Sequence, residues 1–212
     1  MYNKYIKRIL DFLFAFLALI ILSPVFLAVS ILVRLKNGSP VLFSQKRVTI
    51  EKKVFEIKKF RTMTEEKDLQ GNYLPDSERV TYLGKILRST SLDELPEIVE
   101  ILKGNLSIIG PRPLPVSYND FYTENEKSRF SVRAGLIPPE VLYNNVQPTW
   151  DEQLGYEAHY AENVSFILDL KILFAVFKGL FLRYNKDYGE YVREALNVER
   201  SKVMEETDYE FA

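Results

Sequence analysis

Apolar and polar positions divide this chain into one long uncharged stretch followed by many short alternating ones. From Phe12 to Val33 no residue carries a charge: FLFAFLALIILSPVFLAVSILV. As a helix, that run would extend about 33 Å, enough to cross a hydrocarbon core. A cleavable signal peptide is disfavoured, because no small-residue cleavage site follows and Val33-Arg34-Leu35-Lys36 leads into patterned sequence. A buried helix of a soluble protein is rarely uncharged for so long. At the centre of the run sits Ser23-Pro24. Pro24 has no amide hydrogen and its ring crowds the carbonyl of Ile20, so a kink or break is expected there. Basic residues flank the run on both sides: Lys4, Lys7 and Arg8 before it, Arg34, Lys36, Lys46 and Arg47 after it. Positive charge marks the cytoplasmic side, so a re-entrant hairpin broken at Ser23-Pro24 satisfies both flanks. A kinked single span is the alternative reading.

Beyond the anchor the pattern shortens. Residues 40–45 and 54–60 alternate as strands around a turn at Thr49–Lys53, and residues 64–77 read as loop. Val80, Leu83, Ile86 and Leu87 recur at helical spacing. A second helix is expected from Asp93 to Lys103, burying Leu95, Ile98, Val99 and Leu102. Residues 106–109 suggest a short strand running into Gly110-Pro111-Arg112-Pro113. Residues 165–184 form an apolar helix carrying Asp169, Lys171, Lys178 and Arg183, suited either to a membrane interface or to a core. An acid in so apolar a helix needs a partner, and the basic flank of the anchor, Arg8 or its neighbour Lys7, is the nearest candidate for Asp169. The last residues are polar and expected to fray.

Composition narrows the chemistry. The chain has 212 residues and a net charge of −1, so no basic field argues for nucleic acid. With no cysteine, disulfides, thiolate nucleophiles and cysteine-based metal centres are excluded. The single histidine, His159, lies in a polar, Tyr-flanked stretch and reads as an ordinary surface residue.

The densest chemical signal is Ser91-Leu92-Asp93-Glu94-Leu95-Pro96. Proline is tolerated only in a first helical turn, which puts the helix start near Asp93. There the helix dipole would hold Asp93 ionised, as a carboxylate nucleophile requires. Ser91 and Glu94 also have the spacing of a capping box, a purely structural reading that the motif alone leaves open. Two basic groups add weight to the chemical one. Lys58-Lys59-Phe60-Arg61 ends a strand with three cations, and Arg112 is clamped between two prolines. Lysines as point charges and a rigidly held arginine suit phosphate recognition. Carboxylates together with phosphate-directed cations point to phosphoryl chemistry, with Mg2+ expected to bridge Glu94 and the substrate phosphates.

These segments carry a resemblance. Ser23-Pro24 with its basic flanks, KKFRTM (58–63), RSTSLDELP (88–96), LKGNLSIIGPRP (102–113) and SFILDLKILF (165–174) resemble the bacterial sugar transferases, the monotopic phosphoglycosyl transferases. The resemblance implies that Asp93 attacks the sugar-bearing phosphate of a nucleotide diphosphate sugar and then passes the phosphosugar to a polyprenol (undecaprenyl) phosphate. It implies that Glu94 holds Mg2+, that Lys59, Arg88 and Arg112 meet phosphates, and that the anchor is a re-entrant helix broken at the Ser-Pro pair. Departures accompany it. Asn105 stands where the family usually has Asp, and Gln45-Lys46-Arg47-Val48-Thr49 replaces QxRPG. The stretch expected to read PGxxGWxQVxGR is AGLIPPEVLYNN (134–145), with Asn145 in place of the terminal Arg. Gly135 and Trp150 keep their places. The donor sugar and base are therefore open, with Asn145 a candidate donor-reading residue.

The expected architecture is a small α/β, mostly helical, membrane-associated domain with an N-terminal re-entrant membrane helix and interfacial amphipathic helices. It divides into an anchor (1–36), a catalytic domain (37–185) and a polar C-terminal tail (186–212). The expected partners are the nucleotide sugar, the polyprenol phosphate and the lipid bilayer. The place is the bacterial cytoplasmic (inner) membrane, with the catalytic part facing the cytoplasm and self-association left open. An inactive membrane scaffold and an aspartyl phosphohydrolase are the competing functions.

Overall fold

In a computed structural model of the chain, residues 2–143, 148–182 and 193–202 are described. A π-helical turn, Tyr2–Ile6, leads into α1 (Lys7–Lys36). The expected break at Ser23-Pro24 is absent, and α-helical structure runs through Pro24. The reason is local. Pro24 leaves the Ile20 carbonyl without its amide donor, and the Ser23 hydroxyl donates to that carbonyl at 2.8 Å. Large apolar side chains stay exposed all round the helix, among them Phe12, Phe14, Leu17, Ile21 and Leu27. A core helix would bury them. Tyr2–Lys36 is long and apolar enough to cross a membrane.

The chain then forms β1 (Leu42–Val48) and β2 (Val54–Phe60), paired as a hairpin. The first strand starts and ends later than residues 40–45. Val48 N–H bonds the Leu114 carbonyl at 3.2 Å, and Thr49 N–H bonds Lys53 at 2.9 Å, which carries extended pairing up to the turn. The helices α2 (Asp76–Arg79) and α3 (Tyr82–Ser89) follow. The expected helix from Asp93 is two pieces, a 3-10 helix Leu92–Glu97 containing Pro96 and then α4 (Ile98–Lys103). A 3-10 turn holds three residues rather than 3.6, which rotates the buried stripe. Pro96, Glu97, Ile98 and Ile101 are buried, while Leu95, Val99 and Leu102 are only half-buried.

Strands β3 (Ser107–Ile109) and β4 (Gly135–Ile137) are parallel, with Ser107 opposite Gly135 and Ile109 opposite Ile137. A Cβ on Gly135 would lie 2.0 Å from the Gly110 nitrogen, so only glycine lets the two strands meet here. The chain ends with α5 (Trp150–Asn163), α6 (Phe166–Leu182) and a short helix over 196–202. Leu196 in this helix is fully buried; of the last residues, expected to fray, 200–202 belong to the helix and 203–212 lie outside the described residues.

The chain groups into two compact units. One comprises Leu10–Lys46 and Glu56–Gly104. Its core packs Val29 and Val33 of α1 against Phe60 and Leu87, with Phe26 and Phe60 ring centroids 5.1 Å apart. The other comprises Met1–Ile9, Arg47–Phe55 and Asn105–Ala212. Its core has one cluster around Trp150, Leu154 and Leu196 and another around Ile109, Tyr160 and Ile172.

Candidate active site

Asp93 and Glu94 lie on the 3-10 helix Leu92–Glu97. Ser91, which precedes it, sits in the left-handed region (φ 56°), and its side chain makes no cap hydrogen bond. The capping-box reading therefore fails here. A reciprocal capping box is found instead at Thr149–Glu152, at the start of α5. Glu94 instead meets Lys59 from β2, with Nζ 2.5 Å from Oε1, and the same ammonium lies 3.2 Å from Glu97 Oε1. Glu97 is buried at 3% side-chain exposure, whereas Glu94 keeps 28%. Lys59, expected to meet phosphate, is thus the counter-ion that holds the two glutamates together.

Asp93 differs from the sequence expectation in its titration. Six residues of 3-10 helix give a weak dipole, and burial raises the Asp93 carboxyl above the ordinary aspartate range. The neighbouring Glu94 charge raises it further, against the opposing pull of Lys59 and Arg88. Arg88 reaches this group from α3, which lies tight on the chain after β2. A Cβ on Gly84 would lie 2.0 Å from the Thr62 carbonyl oxygen, and Arg88 Nε donates to Thr62 Oγ1 at 3.0 Å. Arg61 points elsewhere. Its Nη1 donates to the Ser39 carbonyl at 2.8 Å, and its own carbonyl accepts from Asn37 Nδ2 at 2.7 Å. It buttresses the turn after α1. The structure therefore gathers Asp93, Glu94, Lys59 and Arg88, and gives Arg61 a structural partner.

Arg112 belongs to the other unit, where its backbone is held on both sides. Its N–H donates to Glu157 Oε1 at 3.1 Å, and its carbonyl accepts from Arg129 Nη2 at 2.5 Å. Glu157 and Arg129 form a buried ion pair at 2.7 Å. Arg129 also donates to the Tyr122 hydroxyl at 3.0 Å, and Gln153 Nε2 donates to Glu157 Oε1 at 3.1 Å. Burial pushes the Tyr122 hydroxyl up to about 12. Burial, and then the Glu157 charge, push Glu140 up to about 8, against Arg112 and Arg129. With the turn fixed in this way, the Arg112 side chain stands exposed between two buried prolines.

The model of the family described as bacterial sugar transferase matches residues 2–183. This chain belongs to the bacterial sugar transferase family. Its relatives include the uncharacterized sugar transferase EpsL of Bacillus subtilis (strain 168), 42% identical over 79% of this chain and 83% of that protein. The UDP-glucose:undecaprenyl-phosphate glucose-1-phosphate transferase of Klebsiella pneumoniae is 35% identical over 84% of this chain and 40% of that protein. A UDP-N-acetylgalactosamine-undecaprenyl-phosphate N-acetylgalactosaminephosphotransferase of Aeromonas hydrophila is 32% identical over 83% of this chain and 44% of that protein.

Two further features of this sugar transferase bear on the expectations. Asp169 has its basic partner, but it is Lys7 rather than Arg8, with Nζ 2.7 Å from Oδ2. One residue along a helix is about 100° of rotation, so only one of two adjacent side chains can face the acid. Tyr2 and Tyr160 hydroxyls also donate to Asp169, each at 2.6 Å. The acid buried in α6 is therefore triply satisfied, while Phe166, Ile167, Leu170, Phe174 and Phe177 expose an apolar face. Asn145 lies outside the described residues, as do 144–147 around it. Glu97, Glu140, Arg129 and Glu157 were missed by the sequence reading. The signal available for Glu157 was its place four residues after Gln153 and three before Tyr160, a polar stripe on the face of α5 that carries Leu154 and Ala161.

Proposed function

We propose that this sugar transferase moves a phosphosugar from a nucleotide diphosphate sugar to undecaprenyl phosphate, through a covalent intermediate on Asp93. The observation that carries the reading is the Asp93–Glu94 pair on an uncapped 3-10 turn, with Lys59 between Glu94 and Glu97. The named relatives from Klebsiella pneumoniae and Aeromonas hydrophila, transferases from UDP-sugars to undecaprenyl phosphate, support the substrate classes.

In the first step an Asp93 carboxylate oxygen attacks the sugar-bearing phosphorus. The bond from that phosphorus to the bridging oxygen breaks, and nucleoside monophosphate leaves with the electron pair. In the second step an oxygen of undecaprenyl phosphate attacks the same phosphorus, the acyl phosphate bond breaks, and the Asp93 carboxylate is regenerated. No net proton is consumed. Lys59 holds Glu94 in place and offsets the Glu94 charge that Asp93 faces. Arg88, fixed through Thr62, and Arg112, on its clamped turn, present positive charge to phosphate oxygens.

The donor set fits a magnesium ion shared with substrate. Among the described residues no three His, Asp or Glu side chains gather as a metal cage. Magnesium commonly takes one or two carboxylates and completes its shell with substrate phosphates and water. Glu94, half-exposed, would hold it, and when bound it supplies charge neutralisation to the phosphate oxygens.

The reaction takes place at a bacterial cytoplasmic membrane, with both ends of α1 on the cytoplasmic side. At one end Tyr2 and Lys7 bond Asp169, and at the other Val29 and Val33 pack with Phe60 and Leu87. The support for that placement is the basic residues on both flanks of the apolar run, Lys4, Lys7 and Arg8 before it and Arg34 and Lys36 after it. Single cysteines at Asn3 and Asn37, in a chain with none of its own, should both resist an impermeant maleimide in intact cells; labelling of Asn3→Cys alone would establish a crossing.

The test of function is release of UMP from UDP-glucose and UDP-N-acetylgalactosamine, with and without undecaprenyl phosphate. Sustained release that depends on the lipid supports the transferase. Release that continues without it indicates a hydrolase, and none from a wider donor panel indicates an inactive scaffold.

A further inference from the structure

The C-terminal segment lies beyond the residues that match the family, yet it is tied into the charged network under the Arg112 turn. Arg193 Nη2 donates to Gln153 Oε1 at 2.7 Å, and Nη1 donates to the Pro148 carbonyl at 2.6 Å. Its guanidinium lies 3.5 Å over the Trp150 ring, and Trp150 Nε1 donates to the Glu194 carbonyl at 2.9 Å. Leu196, fully buried, completes a cluster that includes Leu114, two residues after Arg112. Farther along, Arg200 binds Glu126 at 2.7 Å and Asp151 at 2.6 Å.

The chemistry of Gln153 makes these contacts directional. An amide has one end that accepts and one that donates, and the two ends are nearly equal in shape. Arginine only donates and a carboxylate only accepts. With Arg193 on Oε1, the Nε2 end must face Glu157, and it does so at 3.1 Å. Without Arg193 the amide keeps only its single bond from Nε2 to Glu157, and any rotation away from it sets oxygen against the Glu157 oxygen. That oxygen, Oε1, is the one that holds the Arg112 N–H.

We infer that Arg193 is a positioning residue for the Arg112 turn: by orienting the Gln153 amide it fixes the Glu157 carboxylate that clamps the Arg112 backbone. The consequence for catalysis rests on the reading of Arg112 as a phosphate-binding residue; the consequence for the turn does not. Docking of the C-terminal segment then sets how well the donor is held. Arg193 touches no substrate in this account.

The test reads the turn first and the substrate second. Amide hydrogen exchange is measured on the full-length protein in nanodiscs, with the Arg112 amide resolved and the β2 amides as control. Losing one charge-assisted hydrogen bond in the relay should speed exchange at Arg112 roughly tenfold in Arg193→Ala, with β2 unchanged. Arg193→Lys, which can still donate to Gln153, should restore most of the protection. Should Arg193→Ala unfold the C-terminal segment more widely, Gln153→Met decides, since it cuts the relay and leaves Arg193 stacked on Trp150. Unchanged exchange at Arg112 in Gln153→Met overturns the inference. In the second arm, Arg193→Ala should raise KM for whichever UDP-sugar is turned over and leave kcat near wild type. It should add nothing in an Arg112→Ala background, because both changes act through one turn. Additive effects overturn the inference. An Arg112→Ala enzyme with wild-type KM removes the phosphate reading of Arg112 and leaves the exchange result to decide the relay alone.

Discussion

Glu94 and Glu157 are both carboxylates held by a cation, and the two regions around them are built in opposite ways. Glu157 is fully buried, and it has Arg129, Gln153 and the Arg112 amide around it. Its charge is saturated, and the network works as a strut for the turn it supports. Glu94 keeps more than a quarter of its side chain exposed, on a 3-10 turn, and shares one ammonium with Glu97. Next to it Asp93 carries a raised carboxyl, because burial and Glu94 together outweigh Lys59 and Arg88. An acid left undercompensated in this way is poised to react, whereas one satisfied on every side is not. On the function proposed above, the first region carries the chemistry and the second positions the Arg112 turn.

Breaking the comparison at Asp93 should give the largest effect. Asp93→Asn should reduce phosphosugar transfer by more than about 10³-fold, since an amide is no substitute for a carboxylate nucleophile. The fold should not suffer. Because the folded state raises this carboxyl, its ionised form weakens stability as pH rises, so the asparagine variant should melt no lower than wild type at neutral pH. For the same reason wild-type transfer should fall away on acidification sooner than an ordinary aspartate would require.

The saturated region should respond in stability. Arg129→Met leaves Glu157 charged and buried without its ion pair, which costs about 3–5 kcal/mol when a buried pair loses one partner. Denaturant unfolding checks it. A milder case is Lys7→Met. Asp169 keeps its two tyrosine donors there, so the loss should be about 1–3 kcal/mol by the same measurement.

The smallest effect sharpens the comparison through pH. Glu140, pushed up to about 8, faces Glu157 on one side and the Arg112 and Arg129 charges on the other. Its folded form holds a proton that the unfolded chain releases near 4.5, so this group lowers stability progressively as pH rises from about 4.5 to about 8. Glu140→Gln should flatten that decline in Tm measured across the same range. An unchanged slope would remove Glu140 from the network.

Much of this was legible in the sequence, for identifiable reasons. The uncharged run of α1, the strand at Val54–Phe60 and the place of Asp93-Glu94 each declare themselves within a few neighbouring residues. So does the need of Asp169 for a basic partner. What stayed hidden depends on rotation or on distance along the chain. Lys7 rather than Arg8, and Ile101 rather than Leu102, are decided by the phase of a helix start. Helix α5 escaped notice because its buried face holds Gln153, Glu157 and Tyr160 beside Leu154 and Ala158, which blurs the apolar stripe. Arg129 and Glu157 are 28 residues apart, and no local pattern joins them.

The central claim is that Asp93 carries the phosphosugar between the two substrates. The direct measurement is mass spectrometry of wild-type protein incubated with the turned-over UDP-sugar alone, quenched before undecaprenyl phosphate is added. The account predicts that the peptide containing Asp93 gains the mass of one phosphosugar, and that the lipid phosphate then removes it. An adduct on another residue, or full transfer by Asp93→Asn, would contradict it.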